Sequence, residues 1–232
     1  MGLVIAAYLW GSRFGFEYVE KLAAGLSRNI NQPFRFVLVT DNPRRFGDTP
    51  YHVIGIPSAD RHLLTTLGCF ARLRLFDPEF QARIGIACGQ YDRLVLSDLD
   101  TVVTGNCDPL FDRDESFVVM QGGNSSNPNP YGGALMMLRP GVHADVWSTF
   151  SLEQAEKTPH FQFPDDQGWL RAKIPEAAAW QVGPRSGVYC FKKPGWPLGD
   201  ELPPDARLVT FRGNNPPSKH THLDWVKEHW KA

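Results

Sequence analysis

Apolar, strand-like runs alternate with helical patterns through the first half of this chain. That order restricts it to an α/β fold with a mostly parallel central sheet and crossover helices. Leu3–Leu9 reads as a first strand and residues 14–30 as a helix, with Phe16, Val19, Leu22, Ala23 and Leu26 on one face. Residues 34–39 form a second strand ending at Thr40-Asp41-Asn42-Pro43, and residues 51–56 a shorter third. The stripe Leu64, Leu67, Ala71, Leu75 predicts a helix over 63–76, which Asp77-Pro78 breaks. Further strands are expected at 117–120 and 134–138, separated by a turn-forming stretch, 122–130, that suits a lid. Helices follow at 142–157 and 165–173. Beyond Pro175, short strands at 177–182, 187–191 and 207–211 lie among Pro and Gly, and an amphipathic helix spans 223–230. This tail reads as a smaller subregion folding back on the sheet.

The chemistry concentrates in the run 93–103, Arg-Leu-Val-Leu-Ser-Asp-Leu-Asp-Thr-Val-Val. On a strand, alternate side chains share a face, so Asp98 and Asp100 point the same way and Leu99 points into the core. Two adjacent carboxylates resist ionising together. A hard cation such as Mg²⁺ or Mn²⁺ resolves that conflict and can bridge to a phosphorylated ligand.

Bulk properties narrow the partners. With 24 Lys and Arg against 25 Asp and Glu, the formal net charge is −1, which argues against nucleic-acid binding by bulk electrostatics. The 232 residues, 42% of them hydrophobic, suit a single domain over 1–232. Four cysteines without metal-type spacing read as reduced thiols of a cytoplasmic protein. The apolar start, Met1 to Trp10, lacks a basic flank and is too short to span a bilayer, so no transmembrane segment is expected.

The ordered set of features carries a resemblance. The strand-helix half is followed by Asp98-Leu99-Asp100, then Tyr131-Gly-Gly-Ala-Leu-Met-Met-Leu-Arg-Pro140, then Asp165-Asp166-Gln167, then Phe211-Arg-Gly-Asn-Asn-Pro-Pro217. This resembles the GT-A glycosyltransferases, and within them family 8 and its bacterial relatives, over nearly the whole chain. The resemblance implies a nucleotide-sugar donor, UDP-linked, and transfer with retention to a hydroxyl of a carbohydrate, lipid-linked or protein acceptor. It implies a nucleotide-binding half over about 1–104 and an acceptor half over about 105–232, Mn²⁺ or Mg²⁺ on Asp98 and Asp100, and donor contacts from Tyr8, Trp10 and Arg72. Asp41, at the end of the second strand, is a further candidate contact to base or ribose, because ligands in open α/β sheets collect at the carboxyl ends of strands. Arg74, about 200° further round the expected helix, faces solvent on this reading. Asp166 and Gln167 fall near the anomeric carbon as catalytic residues, with Asp165 as a helix N-cap.

Three departures accompany it. A family His, the third metal ligand, stands where this chain has Thr210, and either His220 or His222 just downstream, or a water, would take its place. The family's Lys-Pro-Trp tail is replaced by Asn215-Pro216-Pro217, leaving Arg212 or Lys219 to supply positive charge to the diphosphate. Gly132-Gly133 stands where the family carries polar residues. Two other classes remain: a nucleotide-sugar-binding module without turnover, suggested by Thr210, and a HAD-type phosphatase, whose Asp-x-Asp-Thr-Val opening matches. The phosphatase motif belongs on a first strand, whereas three expected strands precede it here.

Overall fold

The computed structural model describes residues 2–86, 93–122 and 129–232. Positions 123–128 of the expected lid stretch, and Cys88, lie outside the described residues. Ten strands are described: β1 (Leu3–Leu9), β2 (Phe34–Thr40), β3 (His52–Gly55), β4 (Arg93–Ser97), β5 (Thr101–Val103), β6 (Phe117–Gln121), β7 (Tyr131–Leu138), β8 (Ala178–Trp180), β9 (Val188–Cys190) and β10 (Leu208–Thr210). Seven of them form one sheet in the order β3-β2-β1-β4-β7-β6-β8, and β5-β10-β9 form a second. Strands β3, β2, β1 and β4 run parallel, β7 is antiparallel to both β4 and β6, and β8 runs parallel to β6. The α/β architecture is thus as the sequence pattern predicts.

The period of two along β1 explains why its seven residues are all apolar. Leu3, Ile5, Ala7 and Leu9 pack on one face, with Val19, Leu22 and Leu26 of the helix Phe16–Asn29. Val4, Ala6 and Tyr8 pack on the other, against Phe70, Leu73 and Trp169. A strand covered on both faces has no polar side, which is the signature of a buried parallel sheet. Helix Phe16–Asn29 lies close to β5, where a Cβ on Gly25 would stand 3.3 Å from the Val103 Cβ.

Three expectations change. The run 93–103 is two strands in two sheets: β4 ends at Ser97, and Asp98-Leu99-Asp100 is the turn that carries the chain into β5. The expected helix 142–157 is two short helices, Asp145–Ser148 and Leu152–Glu156, and Ser151 caps the second by accepting from the Gln154 N–H. The expected helix 63–76 is two 3₁₀ segments, Ser58–Leu64 and Phe70–Phe76. Between them Gly68 takes φ +103° and Cys69 φ +58°. A Cβ at position 68 would sit 2.3 Å from the Pro164 carbonyl oxygen, so the chain passes 164–165 at a distance only glycine allows. Leu67, read as part of the apolar stripe, is 69% exposed. Tertiary contact overrides helical periodicity here.

Gly68→Ala adds both left-handed strain and a backbone clash, and should lower stability by about 2 kcal/mol or more in urea unfolding. A loss below 0.5 kcal/mol, roughly that of an ordinary surface change, would show that the close approach is not required.

Candidate functional site

Parallel strands collect ligands at their carboxyl ends, and there a cavity of about 620 Å³ opens. Of the residues expected at the site, it is bordered by Tyr8, Trp10, Arg72, Asp98, Asp100, Asp166, Gln167 and Arg212. These come from the end of β1, the 3₁₀ segment Phe70–Phe76, the β4–β5 turn, the helix Asp166–Lys173 and the loop after β10. Backbone bonds weld these parts together. Asp98 N–H donates to Ala134 (2.9 Å), Phe211 N–H to Asp100 (3.0 Å) and Asp166 N–H to Gly68 (2.8 Å).

Arg72 organises the floor. Its Nη1 donates to Asp98 Oδ1 (2.6 Å) and to the Gly133 carbonyl (2.9 Å), while Nε (2.9 Å) and Nη2 (2.5 Å) both donate to Asp166 Oδ2. Arg72 is 6% exposed and Asp166 0%. Complete burial pushes the Asp166 carboxyl up to about 7 against the pull of Arg72, and the two carboxylates hold Arg72 firmly protonated. Gly133 belongs to this arrangement, because a Cβ there would lie 2.5 Å from Arg72 Nη2. A glycine at this position makes room for the guanidinium.

Asp166 borders the cavity with Oδ2 taken by Arg72 and Oδ1 buried without a hydrogen-bond partner among the described residues. Its geometry is that of a residue that positions Arg72. Asp165 caps the following helix, its Oδ1 accepting from the Gly168 N–H at 2.7 Å. The Tyr8 hydroxyl is also buried without a protein partner among the described residues, and burial pushes its pKa up. Trp10 meets the Tyr8 ring edge-on at 6.1 Å.

Other expected positions lie elsewhere. Asp41 does not border the cavity; its Oδ2 accepts from the Gly11 N–H (3.1 Å) and its carbonyl from Arg61 (2.9 Å). Lys219 donates to the Asn214 carbonyl at 2.6 Å, away from the cavity. His220 pairs with Asn215 Oδ1 (2.6 Å) and packs on Phe191 and Phe211. Thr210 is fully buried, with its hydroxyl 3.3 Å from the Tyr189 carbonyl. Arg74 is not solvent-facing: it approaches Asp60 and Asp77 at 3.4 Å each and covers Trp147.

The structure adds Arg13, Phe14, the segment 64–69, Phe163 and Gly213 to the cavity wall. Only the position of Gly11-Ser12-Arg13 just beyond a strand's carboxyl end signalled the first of these.

Asp100 is 5% exposed, and burial together with the Asp98 charge pushes its carboxyl up to about 7. The folded chain then holds that proton more tightly than the unfolded chain, whose carboxyl titrates near 3.9. Stability should fall as pH rises between these values, by up to about 4 kcal/mol from this group. Asp100→Asn should therefore be more stable than the parent at pH 8 in EDTA, and the gap should shrink toward zero at pH 4. An equal gap at both pH values in urea unfolding would remove Asp100 as the cause.

No protein-family model matches the chain, and no curated protein does. Solved structures do. An active-site mutant of LgtC shares 13% identity with a TM-score of 0.56, covering 94% of this chain and 89% of that one. Galactosyltransferase LgtC in complex with donor and acceptor sugar analogues shares 12% with a TM-score of 0.53, covering 100% and 97%. The apo-form glycosyltransferase GlyE of Streptococcus pneumoniae shares 14% with a TM-score of 0.62, covering 98% of this chain and 63% of that one. The chain has the GT-A glycosyltransferase fold, with its buried arginine and acidic pair at the carboxyl end of the sheet.

Proposed function

We propose that this chain transfers a sugar from a nucleotide-sugar donor, UDP-linked, to an acceptor hydroxyl, with retention. One observation carries the proposal: a cavity at the carboxyl ends of β1 and β4, in a glycosyltransferase fold, is bordered together by Asp98, Asp100, Arg72, Asp166 and Gln167. Tyr8 and Trp10 suit the base, being ring faces at the strand end with one unpartnered hydroxyl. Arg72 and Asp98 form a fixed polar floor whose groups need no rearrangement as charge develops. Gln167, in the cavity wall, would contact the sugar, and Asp166 keeps Arg72 in place.

The reaction breaks the bond from the anomeric carbon to the diphosphate oxygen and forms one to the acceptor oxygen. The acceptor's proton leaves with the departing nucleoside diphosphate. Catalysis is then positioning plus compensation of the negative charge that grows on the leaving group. A resident Mn²⁺ or Mg²⁺ would find at most two carboxylates here, Asp98 and Asp100, and no third protein ligand among the described residues. Asp98 is already ion-paired with Arg72, and the Thr210 hydroxyl is turned to a carbonyl. Among the described residues, no group of three or more His, Cys, Asp or Glu is placed to hold a metal ion. That same observation favours the second reading, a binding module that retains the nucleotide sugar without turning it over.

Release of UDP from a panel of UDP-sugars tests the choice. Gln167→Ala should lower turnover by tenfold to a hundredfold, about 1.4–2.8 kcal/mol of transition-state stabilisation, with UDP affinity unchanged. UDP binding without turnover of any donor would favour the binding module. No binding of UDP or its sugars at all would remove the donor assignment.

A further inference from the structure

Two cations in the cavity wall are not used by the arrangement around Arg72. Arg13 follows the Gly11 turn after β1, and its Nη2 donates to the Gly213 carbonyl at 2.5 Å, joining segments 200 residues apart. The turn is fixed from its other side, where the Gly11 N–H donates to Asp41 Oδ2. Gly11 (φ +63°) and Gly213 (φ +62°) both take the left-handed conformation that this meeting of two loops uses. Arg212 precedes Gly213 and lies over the backbone of β7. A Cβ on Gly132 would stand 2.9 Å from Arg212 Nη2, so this glycine admits the second guanidinium as Gly133 admits Arg72.

The local charges divide clearly. Asp98 and Asp166 are engaged by Arg72, and Asp165 by the N-terminus of its helix. None of the ion pairs among the described residues includes Arg13 or Arg212. Asp100 lines the same wall and feels the charge of Arg13. A guanidinium presents parallel N–H donors that match paired phosphate oxygens. Two of them, arriving from loops that one of them ties together, suit adjacent phosphates.

We infer that Arg13 and Arg212 form a two-arginine clamp for the donor's diphosphate, doing for this chain what a completed metal site would otherwise do. The inference rests on the proposed nucleotide-sugar donor and names the groups that meet its charge. Nucleoside-diphosphate binding then persists without a divalent cation and depends on both arginines. Departure of the diphosphate is assisted by fixed positive charge at the loops after β1 and β10. Asp41 contributes by holding the turn that carries Arg13.

Calorimetric titration of the full chain with UDP and with uridine, in EDTA and in Mn²⁺, tests the clamp. The parent protein should bind UDP in EDTA, more weakly as salt rises. Arg13→Gln and Arg212→Gln should each weaken UDP binding about tenfold and the double variant about a hundredfold. Uridine affinity should stay unchanged, and Arg13→Lys should recover part of the loss. Thermal unfolding of each variant, read by circular dichroism, separates lost binding from lost fold. UDP binding that requires Mn²⁺, or Gln variants that bind UDP like the parent in EDTA, would overturn the clamp and leave the donor assignment standing. Failure of the parent to bind UDP in either condition would overturn both.

Discussion

The bifurcated grip of Arg72 on Asp98 and Asp166 is the interaction on which the site depends. A guanidinium at 6% exposure is tolerable only where its donors are satisfied, and here two carboxylates and the Gly133 carbonyl satisfy them. Removing one member of such a group leaves a buried charge unpaired, which costs about 3–5 kcal/mol. The same contacts join three separate pieces of chain: a 3₁₀ segment, the turn at the end of β4 and the start of a helix. The floor of the cavity is therefore held together by the chain's own contacts.

A consequence is a division of labour among the acidic residues. Asp98 and Asp166 are committed to Arg72, and Asp165 to a helix N-terminus. Asp100, on the turn between two sheets, has its ionisation resisted by burial and by the Asp98 charge. Buried carboxyls of this kind weaken a fold at neutral pH and persist where function needs them. The glycines of β7 make the complementary point. Position 133 admits Arg72 and position 132 admits Arg212, so two guanidiniums lie on a strand backbone that polar side chains would have blocked.

Much of this was legible in the sequence. The alternation of apolar runs with helical stripes predicts the α/β sheet, because strand and helix periods are local properties of the chain. The Asp98/Asp100 pair stood out by its spacing and the Asp165 cap by its place before a helix, whereas Arg72 and Gln167 came only from the family resemblance. Where local reasoning erred, a distant contact had decided. The stripe over 63–76 looks helical, yet Gly68 must pass the Pro164 carbonyl, and the segment tightens into 3₁₀ turns on either side. The acidic pair converges because a turn leaves one sheet for another, not because a strand continues. Asp41, Lys219 and His220 carry suitable groups, but each is occupied by a neighbouring backbone or amide group.

The sequence by itself determined which segments are strands, which faces of them are apolar, and which residues carry charge at the sheet's carboxyl end. Only the tertiary structure decided which of those charges are already paired. Arg72 and Asp166 are 94 residues apart, and Arg13 and Gly213 are 200. Periodicity reports on neighbours within a turn or two, whereas a charge's role depends on what the folded chain brings within hydrogen-bond reach of it.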